Sequence, residues 1–220
     1  MAQYGFFQYL RLKIIVMLYG RAYQDPIART RAGPEHPYPA ALHNVEDALR
    51  WVATQDHRFD RTRLGVSGFS AGGNLALVAA TALRRKLEKF IDIRVSLSTY
   101  AIYDLAAPPE SKKAPHPINP HPVWALHLFN DCYAPDVDSR SDPAISPAFA
   151  DPIDFPLTVA LISCEGDQLW PEANALAERL KATNAPIRLP IESSKVSLTR
   201  SIRGLRRELW RGLTVRRLMH

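Results

Sequence analysis

Only two of the 220 residues are cysteines, Cys132 and Cys164, and they stand in no CxxC spacing. This argues against a disulfide framework and a cysteine-based zinc site, and weakly favours a reducing, cytoplasmic setting. Long apolar runs are missing too. The most apolar segment, Ile14 to Tyr19, follows Arg11 and Lys13; it is short for a signal-peptide core and far too short to cross a bilayer. The expectation there is a buried strand, with no secretion signal and no transmembrane segment anywhere. Internal repeats are absent. One-sided charge is missing from most of the chain: Ile191 to His220 holds eight Lys and Arg against two Glu, whereas the remainder carries 20 basic and 20 acidic residues. The net charge of +6 therefore belongs to the tail.

What is present describes a globular protein. With 46% hydrophobic and 23% charged residues, the chain has the composition and length of one domain with a substantial core. After the Pro-rich "GPEHPYPA", Leu42, Val45, Leu49 and Val52 fall on one face of a helix over about Ala40 to Thr54, which Pro34, Pro37 and Pro39 keep from starting earlier. A strand before Ser70, a helix after it and a strand over Ile91 to Leu97 follow. Residues 104–155 hold more than half of the eighteen prolines and read as a long excursion with one helix near Val123 to Tyr133. "PLTVALISC" reads as a strand covered on both faces. A helix starting near Pro171 turns Ala173, Leu176, Ala177 and Leu180 inward, and "PIRLPI" is the next strand. Strands alternating with helices predict a mostly parallel sheet with helices on both faces.

At the first strand-to-helix junction stands Gly68-Phe69-Ser70-Ala71-Gly72. A serine on so tight a turn needs small residues two positions away on each side, and this G-x-S-x-G pattern is the nucleophile elbow that lifts a hydroxyl above the carboxyl edge of a sheet. Ser70 is the candidate nucleophile. Gly68 and Gly72 are expected to relieve the crowding around it.

Three stretches in order, "GPEHPYPAAL", "GFSAGGNLAL" and "SDPAISPAF" leading to "CEGDQL", resemble the hormone-sensitive-lipase-like (fold-3) branch of the α/β-hydrolases over roughly residues 33–190. The resemblance implies a partial α/β-hydrolase fold as one domain over residues 1–192, followed by an arginine-rich tail, 193–220. It implies Asp167 as the acid of a catalytic triad and Ala71 as a donor to an oxyanion hole, with Gly20 of "MLYGRAY" as the nearest counterpart of the family's upstream oxyanion loop. The implied reaction is ester hydrolysis through an acyl-serine, on a small acyl ester, with no metal and no organic cofactor.

Two departures bear on that chemistry. The upstream HGGG-type loop has no counterpart at the family's spacing. The triad histidine, which the family places about thirty residues after its acid, is also missing, because the one histidine after Asp167 is His220, the final residue. The expectation is that both ends have been exchanged, by altered splicing or a faulty gene model, and that hydrolysis is impaired. His36, His43, His57, His116, His121 and His127 read as surface or capping residues, and "HPINPHP" lacks the frame of a metal site. Two alternatives stay open: a binding module without catalysis, as in the plant gibberellin receptors that share the resemblance, or a truncated product without function. No nucleic-acid partner is expected. A lesser reading gives the tail contact with RNA, DNA or anionic lipid, against a partly amphipathic surface helix.

Overall fold

A computed structural model describes residues 34–55, 57, 59–114, 116–117, 120–164, 166–183 and 191–194. The expected strand at Ile14 to Tyr19, Gly20, and residues 195–220 with His220 lie outside the described residues. The elements run α1 (Ala40–Ala53), β1 (Leu64–Phe69), α2 (Ala71–Val78), β2 (Ile93–Thr99), α3 (Val123–Tyr133), β3 (Thr158–Cys164), α4 (Trp170–Lys181) and β4 (Ile191–Ser194). The four strands form one parallel sheet in the order β1-β2-β3-β4. Because all four run the same way, the residues that leave them, Ser70, Tyr100 and the turn holding Asp167, emerge at one carboxyl edge.

Helix α1 begins directly after Pro39, as the prolines require, and buries Leu42 and Leu49. Its buried Glu46 accepts from Arg50 one turn on and from Lys86 at 2.8 Å, which fastens α1 to the segment after α2. That segment continues α2 through a π turn, Ala79–Leu83, into a last helical turn, Arg84–Leu87. Thr81 in the π turn is fully buried and donates to the Leu77 carbonyl at 2.9 Å, satisfying its hydroxyl inside the core. The inserted residue rotates the helix face, so Leu77, Val78, Ala79, Ala80 and Leu83 are all buried.

Two apolar clusters result. Val78, Leu83, Leu87 and Ile93 close over α1, while Leu77, Tyr103, Val159 and Leu161 meet Ala173, Leu176, Ala177 and Leu180 of α4, the four positions that the helical period points inward. On β1, Gly65, Ser67 and Phe69 are exposed among the described residues. Of the expected strand "PIRLPI", only Ile191 is described; it starts β4, which pairs with β3 through Ser194 and so crosses the 192/193 boundary between body and tail.

The excursion is not a free flap. Asn74 of α2, 3% exposed, donates to the carbonyls of Ile102 and Ile145 at 2.9 and 3.0 Å. Ser146 Oγ accepts from Leu105 N and donates to Arg140 O, and the buried Arg140 donates to Ala134 O and to Asp131. These bonds settle polar groups that a chain with so little regular structure would otherwise bury unpaired.

Candidate active site

Ser70 has φ 51° and ψ −124°, a left-handed conformation that a residue with a Cβ adopts only where its surroundings hold it. Its N–H donates to Thr99 O at 2.9 Å, fixing it to β2, and its own carbonyl accepts from Gly73 N and Asn74 N, which starts α2. The side chain stands exposed at the carboxyl edge. The amide of Ala71, the first residue of α2, is among the N–H groups that a helix start leaves without an intrahelical carbonyl.

The glycines divide their work differently from the sequence expectation. A Cβ on Gly68 would stand 2.1 Å from the Gly72 carbonyl oxygen, so Gly68 is required. A Cβ on Gly72 would meet nothing within 4 Å; its backbone, not its missing side chain, is what crowds the turn. The second tight position is Gly73, where a Cβ would lie 2.8 Å from both Ala101 Cβ and Ser98 Oγ. Tyr100, also at positive φ (38°), bonds Ile162 O through its N–H and sets its ring 5.7 Å from that of Phe69.

Asp167 lies in the turn between β3 and α4. Its Oδ1 accepts from Leu169 N at 2.9 Å, and its backbone carbonyl accepts from Trp170 N at 3.0 Å, which begins the helix. Burial pushes the carboxyl up from the usual range, opposed by the Leu169 amide and by the charge of His121. Ser70 and Asp167 therefore share one edge, separated by the width of β2.

Behind the edge runs a polar network that residue patterns alone do not disclose. Glu172, on the first turn of α4, accepts from Tyr103 N at 3.1 Å, Asp104 N at 3.3 Å and Lys112 Nζ at 2.6 Å. The Lys112 side chain is 4% exposed and that of Glu172 12%. Burial pushes Glu172 up to about 7, against the pull of Lys112 and of the Tyr103 amide. The buried Tyr103 hydroxyl donates to Ser98 Oγ at 3.0 Å, and Ser98 donates to Gly73 O at 2.9 Å. The first turn of α4 and the start of α2 are thus joined through Glu172, Tyr103 and Ser98.

The remaining candidates scatter. His127 pairs with Glu110 at 2.7 Å on the surface, and His36, His43, His57 and His116 are exposed. His121 is exposed as well, and its charge is the smallest of the three influences on Asp167. Cys132 is buried, and burial pushes its thiol up to about 12, leaving it unreactive. Among the described residues no three His, Cys, Asp or Glu are grouped to hold a metal ion, and no helix is long and apolar enough to cross a membrane.

Known esterases share this fold. Esterase LipI of Mycobacterium tuberculosis is 32% identical over 161 residues, which cover 71% of this chain and 49% of that protein. Carboxylesterase NlhH of the same species is 28% identical over 192 residues, covering 78% and 59%. The chain spans about half to three-fifths of the length of these curated relatives. The crystal structure of EstE1, a thermostable carboxylesterase cloned from a metagenomic library, superposes with a TM-score of 0.66 at 25% identity over 81% of this chain and 63% of that one. A family model described as alpha/beta hydrolase fold matches residues 29–194, a span that takes in the elbow, the excursion and all four strands. By that match the chain belongs to the α/β-hydrolase family, in its fold-3, hormone-sensitive-lipase-like branch.

Proposed function

We propose that the chain is a carboxylic ester hydrolase in which Ser70 is the nucleophile, Asp167 the triad acid and Ala71 N–H an oxyanion donor. The observation that carries this reading is the left-handed backbone that holds Ser70 exposed at the turn between β1 and α2. The hydroxyl attacks the ester carbonyl, the oxyanion forms beside the Ala71 amide, and the alcohol leaves an acyl-serine that water hydrolyses.

The rate is limited by the proton. A serine hydroxyl is a poor nucleophile until a base accepts its proton, and a triad aspartate orients an imidazole without reaching the serine. In a serine hydrolase, loss of the histidine costs on the order of 10⁶ in kcat. None of the thirty residues after Asp167 is a histidine, and without a base at that spacing hydrolysis falls below about a thousandth of the rate of a relative with a complete triad. The test is hydrolysis of p-nitrophenyl acetate by the full chain and by Ser70→Ala: a rate above buffer that disappears in the variant supports the reading, and equal rates refute it. The lack of a histidine at that spacing favours one other reading, a small-molecule-binding module on the same scaffold. Saturable binding of an acyl ligand with no Ser70-dependent turnover would select it.

A further inference from the structure

We infer that Ser98 and Tyr103 are positioning residues for the nucleophile: acting through Gly73, they hold Ser70 in the left-handed conformation from which its hydroxyl attacks. The inference rests on the assignment of Ser70 above.

A residue with a Cβ keeps a φ of 51° only where its surroundings over-determine it. The Ser70 carbonyl is held by two amides, Gly73 N–H at 2.9 Å and Asn74 N–H at 3.1 Å, so its direction depends on where those two residues stand. Both are anchored from outside the elbow. Ser98 Oγ bonds Gly73 O at 2.9 Å, and a Cβ on Gly73 would lie 2.8 Å from both Ser98 Oγ and Ala101 Cβ, so Gly73 is wedged against the end of β2 and the residues that follow it. Asn74 sends its side-chain amide to Ile102 O and Ile145 O at 2.9 and 3.0 Å. The stretch 98–103 thus fixes both donors to the Ser70 carbonyl, while Thr99 O within it holds the Ser70 N–H at 2.9 Å.

The direction of the relay follows from its end. A carbonyl oxygen only accepts, so the single hydroxyl proton of Ser98 goes to Gly73 O, and the 3.0 Å bond between the two hydroxyls is made with the proton of Tyr103. Burial pushes the Tyr103 hydroxyl above its ordinary value, which keeps that proton on the phenol. Tyr103 is pinned in turn, because its N–H donates to Glu172 at 3.1 Å and Glu172 is paired with Lys112. Ser98 and Tyr103 are both fully buried, where solvent does not replace a lost partner. Without the Ser98 hydroxyl, Gly73 loses its side-chain anchor and the turn that carries Ser70 can relax. A misplacement of about 1 Å from a change away from the chemistry costs on the order of 100-fold in rate, so a partial relaxation is enough to be measured.

The experiment compares the full chain with Ser98→Ala, Tyr103→Phe, Thr81→Ala and Ser70→Ala. Each is treated with a p-nitrophenyl alkylphosphonate over a range of reagent concentrations, which separates the apparent affinity for the reagent from the maximal rate of Ser70 phosphonylation; mass spectrometry locates the adduct and urea titration gives the folded fraction. Thr81→Ala is the matched control, since it also deletes a fully buried hydroxyl, one bonded to Leu77 O at 2.9 Å beyond the elbow. The expected result is that S98A lowers the maximal rate at least tenfold and Y103F at least threefold, each with apparent affinity within twofold of wild type, while T81A, with a comparable fall in urea midpoint, labels at the wild-type rate. Equal maximal rates in S98A and wild type, with both fully folded, overturn the inference while leaving Ser70 as nucleophile. A loss in T81A that matches the loss in S98A does the same, because it assigns the effect to stability alone. If S98A does not fold, Y103F, which removes one oxygen, decides by the same comparison. Absence of any Ser70 adduct in the wild-type chain overturns the underlying assignment, and the inference falls with it.

Discussion

Gly68 and Gly72 look equivalent as letters, two positions either side of Ser70, but space separates them. A methyl group on Gly68 would run into a backbone carbonyl that cannot move without unwinding the first turn of α2, whereas one on Gly72 points into open space among the described residues. Gly68→Ala should therefore cost about 1–3 kcal/mol, the usual range for overpacking. Gly72→Ala should be neutral or stabilising by up to about 1 kcal/mol, since alanine is the better helix former. Chemical denaturation midpoints of the two variants check this order, and a reversal would show that the elbow does not hold its described form. The motif was legible in sequence because φ-tolerant and small residues cluster at such turns. Gly73 was not, because its need comes from Ala101 and Ser98 of a neighbouring segment.

At the scale of elements, the ion pair of Lys112 and Glu172 joins the excursion to the first turn of α4. Removing one partner of a buried pair strands the other, so Lys112→Met should lose about 3–5 kcal/mol. Tyr103→Phe, which deletes only the hydroxyl bonded to Ser98, should lose about 1 kcal/mol. The acidity of Glu172 gives a sign to test. Its carboxyl is raised from 4.5 to about 7 in the fold, so between those values the folded chain binds more protons than the unfolded one. Stability from this residue is then greatest below pH 4.5 and declines as pH rises through 7, by no more than about 1.4 kcal/mol per pH unit. Glu172→Gln should flatten that slope in urea titrations, and an unchanged slope would assign it to other groups. None of this network was readable beforehand: Lys112 and Glu172 are 60 positions apart in sequence, and no periodicity links them. Helix α4 was readable almost residue by residue, because a 3.6-residue period states its own inward face.

For the whole molecule, the order of elements from α1 to α4 followed from apolar period and prolines, and the parallel sheet followed from that order. The strand expected at Ile91 to Leu97 sits two residues later, at Ile93–Thr99, since Ile91 is buried against α1 and α2 before the ladder begins. The meeting of Asp104 and Lys112 with Glu172 depends on the path of a long proline-rich segment, which composition does not specify. The central claim is that Ser70 is the nucleophile, at the carboxyl edge of the sheet. Incubation of the full chain with a p-nitrophenyl alkylphosphonate, followed by peptide mass spectrometry, measures that directly. One adduct per chain on the peptide containing Ser70, with release of one p-nitrophenol and none from Ser70→Ala, is the predicted result; no adduct, or one that persists in Ser70→Ala, would contradict it.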